Sequence, residues 1–537
     1  MMAHENAFLK AQGVFQRICT FLREARRDGL RMDQIERQLK PLLAEAGLMF
    51  LQEHVEECGD GDQGETVTLE GRVLRRSEAP QARRYLSIFG ELSISRYVYS
   101  KGKKKPIEYS PLDARLGLPA GENSYVLEDF QQRLCVKSPY NKAVDDLQVI
   151  LGTGVSARTA EHMNQQMGFY AKEYRLSGLT EEKVPPPENE AELLVVAADG
   201  KGVLMRRTLE EQLREEQEAT ASKAEAETPP PTQAVPPQRS RGRKRRKRRA
   251  IQQDSSETPG RGKKKSRKQM AYVGAVYTIA PFPRTVDEVM DEIARRERAK
   301  DRPRPQNKRV WAEMTRLVAG EPLDGRSSLF VYLAMESYLR DPERQKPLIC
   351  LMDGEEPLWS AKNQWLGRTV EILDFFHVLE HLWKVASCFH KGRAAEAFVD
   401  HHARMLLDGK VDYVLRNFRR LLRKRKLRGK RLKEVQRAIT YYSHHRGRMR
   451  YDEYLAKGYP IGSGVAEGTC RNLVNDRMEL TGMHWKQRGS QSMLYLRALY
   501  LNDEWETFIN YRVEKEQQHL YGQDTAYGKL THYGQAV

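Results

Sequence analysis

Apolar residues recur every three or four positions through the first sixty residues, which predicts amphipathic helices. The segments LKAQGVFQRICTFLREARRDGL and MDQIERQLKPLLAEAGLMFLQEHVEE both carry this period. The period then shortens to two in VTLEGRVLRR and YLSIFGELSISRYVYS, so a small sheet is predicted there. The chain is therefore expected to begin with a helical region at 1–65, which serves packing or self-association, and to continue with a β-containing region at 66–120.

A helical period returns in the region 121–185, where SPYNKAVDDLQVILGTGVSARTAEHMNQQ predicts two helices joined by a tight turn at 152–154. Two interpretations remain open. In a helix-turn-helix, Ser156 caps the second helix, whose first turns face a DNA groove. In an ordinary helical hairpin, the same residues only cap and pack. The groove-facing residues in the first interpretation are Ala157, Arg158, Thr159, His162 and Asn164.

Strands and helices alternate in the second half of the chain. ELLVVAADGKGVLMRR predicts an apolar strand that ends at Asp199, a turn at 200–202 and a second strand, and MAYVGAVYTIA predicts a third. A mostly helical stretch with WAEMTRLVA and SLFVYLAMESYLR precedes KPLICLMDG, a buried strand that ends at Asp353. The segment SAKNQWLG predicts a helix, and TVEILDFFHVLEHLWKVASCFH a strand that runs into a helix. This order predicts an α/β fold with a mixed sheet covered by helices.

The composition changes abruptly at 208–268. Here TPPPTQAVPPQ precedes RSRGRKRRKRR, in which nine of eleven residues are Arg or Lys. Such a segment cannot bury an apolar core, so a disordered insert is predicted. It is either a solvated linker or an arm that attracts DNA phosphates, and the length of the basic block favours the arm. The arm residues are Arg243, Lys244, Arg245 and Arg246.

The chain as a whole is basic. Its formal charge of +18 and its pI near 9.4 predict a polyanionic partner, usually nucleic acid, although charge alone also fits a ribosomal or membrane-surface protein. An apolar run of about twenty residues, as a bilayer span needs, is absent. An export signal is not recognisable at the amino terminus either, so a cytoplasmic protein is expected. The six cysteines contain no Cys-x-x-Cys pair and predict neither a zinc ribbon nor a disulfide framework.

Three carboxylates stand where a sheet of this class binds ligands. Asp199 and Asp353 each follow an apolar run and precede a glycine, and ligands bind at the carboxyl ends of such strands. In YPIGSGVAEGTCRNLVNDRMELTGMHWKQRG, a helix that begins near Val465 carries Glu467 in its first turn. One Asp-Gly alone is more often only a turn. The set of three suits two Mg²⁺ or Mn²⁺ ions about 3.5–4 Å apart, which support phosphodiester hydrolysis and transesterification.

The motifs ADGKG, LMDG, LDFFHVLEHLW and GSGVAEGTCR together resemble the DDE transposases of bacterial insertion sequences, particularly the ISKra type and its relatives near the mutator-like elements. The resemblance covers roughly residues 192–502. It implies an RNase H-like core at 190–207 and 269–390, with Asp199 on the first strand, Asp353 after the fourth and Glu467 on a late helix. The basic insert departs from a compact core of that kind but displaces none of the three acids.

The resemblance also implies an Asp-x-x-His signature after the fifth strand, which Asp374 and His377 fit. Their implied roles are supporting ones, in DNA positioning or base handling near the cut. A rival assignment makes Asp374 the second metal ligand in place of Asp353, because it too ends an apolar strand and stands beside a histidine. Taken alone, His377 is more simply a satisfied histidine at a helix start.

Candidate DNA-binding residues flank the glutamate. The region 391–458 contains FRRLLRKRKLRGKRLKEVQR, a cationic helical stretch at the point where the resembling families insert a helical domain. DNA contact is favoured there over a solvated face. The core resumes at 459–510, where Trp485 either stacks on an unpaired base or packs in the core, and 511–537 is a tail. The other candidates are Arg419, Arg420, Arg423, Lys424, Arg425, Lys426, Arg471, Arg477 and Lys486.

These patterns and the resemblance predict a transposase. It would bind the terminal inverted repeats of an insertion sequence as a homo-oligomer on double-stranded DNA, and cut and join strands with two Mg²⁺ or Mn²⁺ ions in the bacterial cytoplasm. Two other functions stay open. One is a catalytically silent DNA-binding protein derived from a transposase, and the other is an RNase H-type nuclease that hydrolyses DNA without strand transfer.

Overall fold

The computed structural model describes residues 8–69, 71–177, 189–206, 268–294, 301–318, 321–425, 427–480 and 482–522. Almost all of the predicted basic insert lies outside these ranges, and so do Lys426 and the end of the predicted tail. The arm residues that fall outside are Arg243, Lys244, Arg245 and Arg246. In the described ranges, no helix combines the length and the apolar character that a bilayer span requires.

Two long helices open the described chain, as their period predicts. Val14 of the first packs against Ala46 of the second. The carboxylate of Glu53 accepts the backbone N–H groups of Lys10 and Ala11 at 2.8 and 3.0 Å, which satisfies donors at the start of the first helix. Two small antiparallel sheets and further helices follow. The elements are α1 (Leu9–Arg27), α2 (Met32–Glu57), β1 (Thr66–Leu69), β2 (Arg72–Arg76), β3 (Gln81–Ser87), β4 (Gly90–Arg96), β5 (Tyr99–Ser100), α3 (Pro111–Arg115), α4 (Tyr125–Cys135), α5 (Tyr140–Leu151) and α6 (Ala157–Ser177).

A five-stranded mixed sheet forms the centre of the second half. The strands of this half are β6 (Leu193–Leu204), β7 (Lys268–Ile279), β8 (Gln306–Met314), β9 (Arg316–Val318), β10 (Glu321–Leu323), β11 (Leu348–Met352) and β12 (Val370–Leu373). β9 and β10 pair antiparallel with each other, and the other five strands lie in the order β12-β11-β6-β7-β8. β6, β7 and β8 are antiparallel neighbours, whereas β11 and β12 run parallel to β6. The predicted α/β fold with a mixed sheet is confirmed.

Two details of the predicted sheet are wrong. The chain does not turn after Asp199, because β6 continues through Gly200 and Gly202 to Leu204, paired with β7 throughout. The two strands predicted there are one strand. WAEMTRLVA, predicted as helical, forms the end of β8 and β9. Residues 309–314 are all buried, and a strand covered on both faces loses the polar alternation that would distinguish it from a helix.

Helices cover both faces of the sheet, and the side chains of β6 alternate between two apolar cores. Val195 and Ala197 face the core that the carboxyl-terminal helices build, whereas Val196 and Ala198 face Leu333 and Trp359 on the other side. The helices of this half are α7 (Val286–Ile293), α8 (Gly325–Arg340), α9 (Glu356–Trp365), α10 (Phe375–Phe389), α11 (Arg393–Leu407), α12 (Val411–Arg425), α13 (Gly429–His444), α14 (Tyr451–Ala456), α15 (Gly464–Cys470), α16 (Asp476–Met478), α17 (Gln487–Leu501) and α18 (Trp505–Tyr521).

The cationic region 391–458 is helical, as its pattern predicts, and contains α11 to α14. Phe418 of α12 and Tyr442 of α13 are fully buried in the shared core. The hydroxyl of Tyr442 donates to the carbonyl of Val378 at 2.8 Å, which ties α13 to α10. The apolar side of this region therefore packs on the sheet's own helices and leaves its basic side outward.

The predicted helix pair of residues 121–185 is present as α5 and α6. Gly152 ends α5 in the left-handed region with φ +76°, and the Ser156 hydroxyl caps α6 by accepting the N–H of Thr159 at 3.1 Å. The prediction that Asn164 faces a groove is wrong. Its side chain is completely buried and donates to Oε1 of Gln132 at 3.0 Å, so it serves the packing of α6 on α4.

α17 connects the helix pair to the sheet. It is buried along most of its length, and it lies against α6 on one side and β8 on another. Gly168 of α6 allows this approach, because a Cβ placed there would lie 2.3 Å from Cβ of Ser492. The helix pair is thus held on the core rather than on a separate arm.

Candidate functional site

Three aspartates stand side by side at one edge of the central sheet. In the parallel register, Ala198 of β6 pairs with Met352 of β11, which pairs with Leu373 of β12. The next residue of each strand is an aspartate, and parallel neighbours lie about 4.8 Å apart. The backbone N–H of Asp374 extends the register by donating to Met352 O at 2.8 Å. We call Asp199, Asp353 and Asp374 the aspartate row.

Asp353 occupies the middle of the row and is half-buried. Its Oδ1 accepts the N–H of Glu355 at 3.0 Å, and Trp359 Nε1 donates to its carbonyl at 2.7 Å, so the turn after β11 is held firmly. Burial raises the pKa of Asp353, and the carboxylates of Asp199 and Asp374 raise it further. A cation at this position would relieve the repulsion within the row.

Gly354 follows Asp353 because an aromatic ring leaves no room for a side chain there. A Cβ placed on Gly354 would lie 2.1 Å from Cε2 of Tyr441. The Tyr441 ring in turn stacks on His381, with ring centroids 4.1 Å apart and planes at 19°. The glycine after Asp353 therefore reflects a close approach between the sheet edge and α13, one of the helices of the cationic region 391–458.

Asp374, at the end of the row, is fully buried and acts as a cap. Its Oδ1 accepts the N–H groups of Phe376 at 3.3 Å and Ser463 at 2.9 Å, and its Oδ2 accepts the N–H of His377 at 3.3 Å. Nδ1 of His377 also bonds to Oδ2. This hydrogen bond raises the pKa of His377 to about 9, so the imidazole is protonated at neutral pH.

Glu467 lies in the first turn of α15, as predicted, and is exposed. Its Oε1 accepts the Ser463 hydroxyl at 3.4 Å. Within the described ranges, one group of side chains is spaced to hold a single metal ion, with all ligand atoms within 4.8 Å of one another: Asp374, His377 and Glu467. The structure thus brings Glu467 to one end of the row, whereas Asp199 and Asp353 stand apart from this group.

Cys470, which the sequence interpretation did not single out, contacts the other end of the row. It is 4% exposed, and its thiol lies close enough to the carboxylate of Asp199 to interact with it electrostatically. Burial, followed by the Asp199 carboxylate, raises the pKa of this thiol. Since Glu467 and Cys470 lie one turn apart on α15, the helix crosses the row with Glu467 near Asp374 and Cys470 at Asp199. The sequence signal that could have identified Cys470 is its position three residues after Glu467, which puts both side chains on one face of the helix.

Glu355 is a second residue that the sequence interpretation missed. Its Oε2 lies 3.3 Å from the position of a Cβ on Gly200, so the carboxylate folds back over β6 beside Asp199. Burial raises the pKa of Glu355, and the carboxylates of Asp353 and Asp199 add to this effect. Its position two residues after Asp353 was the only local signal for it.

The predicted DNA-binding residues divide into exposed and buried ones. Arg477 does not lie at a DNA-accessible surface, so the contact predicted for it is wrong, and of the two alternatives for Trp485 the structure shows packing in the core. Arg477 is completely buried and donates to the carbonyl of Cys135 at 2.6 Å. Trp485 is 6% exposed, donates to the carbonyl of Met478 at 3.1 Å, and stacks under the Arg477 guanidinium at 5.0 Å. The exposed candidates are Arg158, Arg419, Arg420, Arg423, Lys424, Arg425, Arg471 and Lys486.

Thr159, also predicted to contact DNA, is half-buried. Its hydroxyl lies 2.8 Å from that of Ser156, and its N–H bonds to the same hydroxyl. The residue therefore takes part in the cap of α6, and the exposed Arg158 is the better candidate for a phosphate contact at this helix end.

No protein-family model matches the chain, and no curated protein is significantly similar to it. What the protein does has to be inferred from the aspartate row, the glutamate helix that crosses it and the exposed basic surfaces around them.

Proposed function

We propose that this chain is a transposase of the acidic-triad type, which cuts and joins DNA strands with divalent cations bound by Asp199, Asp353 and Glu467. The observation that carries the proposal is the aspartate row, which lies within β6 at Asp199 and directly after β11 and β12, with α15 lying across it. Carboxylates placed side by side raise the free energy of ionising one another. Such an arrangement suits a site that binds cations better than one that only stabilises the fold.

The strand order supports an RNase H-like core. The antiparallel strands β6, β7 and β8 come first, and β11 and β12 then add in parallel on the other side of β6. In the family that the motifs resemble, the acids lie on the first strand, after the fourth strand and on a late helix. Asp199 on β6, Asp353 after β11 and Glu467 on α15 follow one another in that order along this chain, which supports the proposal.

The donor set suits Mg²⁺ or Mn²⁺, because these ions prefer carboxylate oxygens. When bound, two such ions would activate the attacking water or hydroxyl and offset the charge that develops on the phosphate. Glu467 is exposed, and its side chain is long enough to turn from the Asp374 end of the row toward the middle. Asp374 orients the His377 ring through Nδ1, and we assign the other ring nitrogen of His377 an N–H contact to the scissile phosphate.

Asp374 is assigned a positioning role in this proposal. Its two oxygens already accept four hydrogen bonds, from three backbone N–H groups and from His377. A metal ligand in its place would have to give up at least one of these bonds. The alternative assignment, in which Asp374 replaces Asp353 as a metal ligand, is therefore less favourable because it would break a hydrogen bond of Asp374.

The partner we propose is double-stranded DNA, bound by a homo-oligomer in the bacterial cytoplasm. The charge of +18 supports a polyanionic partner. α12 presents exposed cations from its outer face, while its apolar face is buried. The helix pair α5 and α6 is the candidate reader of the terminal repeats, with the exposed Arg158 at the start of α6.

The test is metal-dependent cleavage and joining of labelled DNA that carries the element's ends. Asp199→Asn, Asp353→Asn and Glu467→Gln should each lower the cleavage rate at least about a hundredfold while DNA binding persists. Glu380→Gln is the matched control, because Glu380 is an exposed acid on α10 close to the site but outside the row.

The outcomes separate the three candidate functions. Cleavage followed by strand transfer supports the transposase. Cleavage without any joined product supports the RNase H-type nuclease, and tight binding with no cleavage in either metal supports the silent DNA-binding protein. If Asp374→Asn abolishes cleavage in a fully folded protein and Asp353→Asn does not, the proposed metal ligands are wrong.

A further inference from the structure

A cleft of about 670 Å³ opens beside the aspartate row, between α13 and the start of α9. Gly354, the residue after Asp353, lies in its floor. Clefts of roughly 300–1,000 Å³ hold small ligands, and this volume is ample for one nucleotide. A strand end released from the row would thus find a binding site beside it.

One wall of the cleft is aromatic. Tyr441 and His381 line it as a stacked pair, with planes at 19° and centroids 4.1 Å apart. A base can stack on the outer face of such a pair, as bases of unpaired strands stack on aromatic side chains in a sequence-tolerant way. The Tyr441 ring is also fixed against Gly354, which keeps the wall at a constant distance from Asp353.

A stripe of hydrogen-bond donors lines a second wall of the cleft, to which Glu356 also contributes. Lys433, Arg437, Thr440 and His444 recur at three- and four-residue intervals on α13, so they share one face of that helix. Lys433 forms no ion pair with any residue in the described ranges, Arg437 pairs only with Glu434 at 3.5 Å, and His444 pairs with Glu356 at 2.8 Å. The stripe is richer in donors than in acceptors, which favours an anion.

The chemistry proposed for the row produces such an anion. Water adds across the phosphodiester bond, the 3′ oxygen leaves with a proton as a hydroxyl, and the phosphorus stays on the 5′ oxygen as a monoester. A phosphate monoester carries about −1.5 to −2 charges at neutral pH, compared with one for the diester. The newly cut 5′ end is therefore more strongly attracted to lysine and arginine than an intact strand is.

We propose that this cleft binds the 5′-phosphorylated nucleotide that strand cleavage creates, with its base against Tyr441 and His381 and its phosphate at Lys433 and Arg437. The inference rests on the proposed function, because it needs a cut strand. It adds a binding site for the second product end, separate from the groups that bind metal. Retention of that end beside the row would keep the two cut strands from separating.

The test compares two nicked duplexes that differ only in a 5′-phosphate or 5′-hydroxyl at the nick. Fluorescence anisotropy with the full chain in EDTA measures binding without cleavage. The phosphorylated nick should bind about tenfold more tightly. The double variant Lys433→Gln/Arg437→Gln should abolish this ratio. The control Lys430→Gln/Arg431→Gln removes the same charge from exposed positions of the same helix outside the cleft and should keep it.

Competition identifies the part of the nucleotide that is recognised. Deoxyadenosine 5′-monophosphate should displace the phosphorylated nick at lower concentration than inorganic phosphate does. Equal competition by the two would overturn the aromatic-wall part of the proposal. Equal affinity for the two nicks, or an equal loss of the ratio in both double variants, would overturn the proposal as a whole.

The proposed function and this inference fail in different ways. A chain that cuts DNA with Mg²⁺ but shows no preference for the 5′-phosphate disproves the cleft's role only. A chain that prefers the 5′-phosphate in EDTA but never cuts DNA with Mg²⁺ or Mn²⁺ disproves the proposed transposase activity. The same result supports the proposal that the cleft binds a 5′-phosphorylated nucleotide.

Discussion

The carboxylate of Asp374 accepts the backbone N–H of Ser463 at 2.9 Å, although 89 positions separate the two residues. Asp374 also caps α10, so one buried side chain holds both the start of that helix and the turn before α15. The position of Glu467, four residues after Ser463, depends on this bond. For that reason we assign Asp374 a positioning role, and its substitution should lower both the stability of the protein and its activity.

Asp374→Ala should lower the free energy of unfolding by about 3 kcal/mol, because it removes a helix cap and leaves the N–H of Ser463 unsatisfied in the interior. Urea denaturation in EDTA measures this in the absence of metal. Glu467→Ala is the control, since Glu467 is exposed and should change stability by less than about 0.5 kcal/mol. Wild-type stability in Asp374→Ala together with lost cleavage would instead favour Asp374 as a metal ligand.

Local patterns predict much of this fold, but they do not predict the register of its strands. The apolar runs before Asp199 and Asp353 and the Gly-Ser-Gly turn before Glu467 are local, and each acid could be placed on its element from them. That Asp374 stands in the same row follows from the parallel pairing of β11 with β12. A pairing between strands is a contact between distant segments, and one sequence contains no direct record of it.

Whether a polar residue is buried also depends on distant segments of the chain. Arg477 follows the glutamate helix in a basic, exposed-looking segment, and DNA contact was a reasonable prediction for it. Its partner is the carbonyl of Cys135, 342 positions earlier. Cys135 is the last residue of α4, so the carboxyl end of that helix covers the Arg477 side chain. Predictions of exposure fail in this way where a distant segment packs over the surface.

Trp485→Ala should therefore destabilise the protein without a specific effect on DNA. Loss of a buried tryptophan costs about 3–5 kcal/mol. The DNA affinity of the fraction that remains folded should stay unchanged. Arg471→Gln is the contrasting variant, because the Arg471 side chain is 77% exposed; it should leave stability unchanged and weaken DNA binding. Unfolding curves and binding titrations on both variants test the assignment, which is wrong if Trp485→Ala is stable but binds DNA poorly.

α12 should contribute to DNA binding through charge. The triple variant Arg420→Gln/Arg423→Gln/Lys424→Gln should reduce the slope of log affinity against log salt by roughly 0.9 for each phosphate contact that is lost. Filter binding over a range of salt concentrations gives the slope. The control Arg23→Gln/Arg26→Gln/Arg37→Gln removes three exposed charges from the helices α1 and α2. An equal change of slope in both variants would show that the effect reflects net charge and not a contact at α12.

Gly354→Ala should disturb the site by pushing on Tyr441. The added Cβ would lie 2.1 Å from the ring, which is held by its stack on His381. Overpacking of this kind costs about 1–3 kcal/mol. In a Tyr441→Ala background the same substitution should cost almost nothing, so a double-mutant cycle measures the coupling directly. Gly447→Ala, where a Cβ meets nothing within 4 Å, is the control. A Gly354→Ala cost that persists without the Tyr441 ring would contradict this account.

His445 should make the fold sensitive to acid. It is 2% exposed, its Nδ1 accepts from Arg448 at 2.9 Å, and burial, followed by the Arg448 charge, lowers its pKa to about 4. In the unfolded chain the pKa of histidine is about 6.5. Between these values the unfolded chain binds a proton that the folded chain does not. The free energy of unfolding should fall as the pH drops from about 6.5 toward 4, by up to roughly 3 kcal/mol.

Urea denaturation between about pH 7 and about pH 5 measures this contribution. His445→Gln keeps a hydrogen-bond acceptor for Arg448 but cannot take up the proton, so its stability should decline less steeply than that of the wild type. Parallel pH profiles for the wild type and His445→Gln would mean that other groups cause the acid sensitivity. The difference between the two slopes is the quantity that isolates the buried imidazole, since carboxylates that titrate in the same range contribute equally to both proteins.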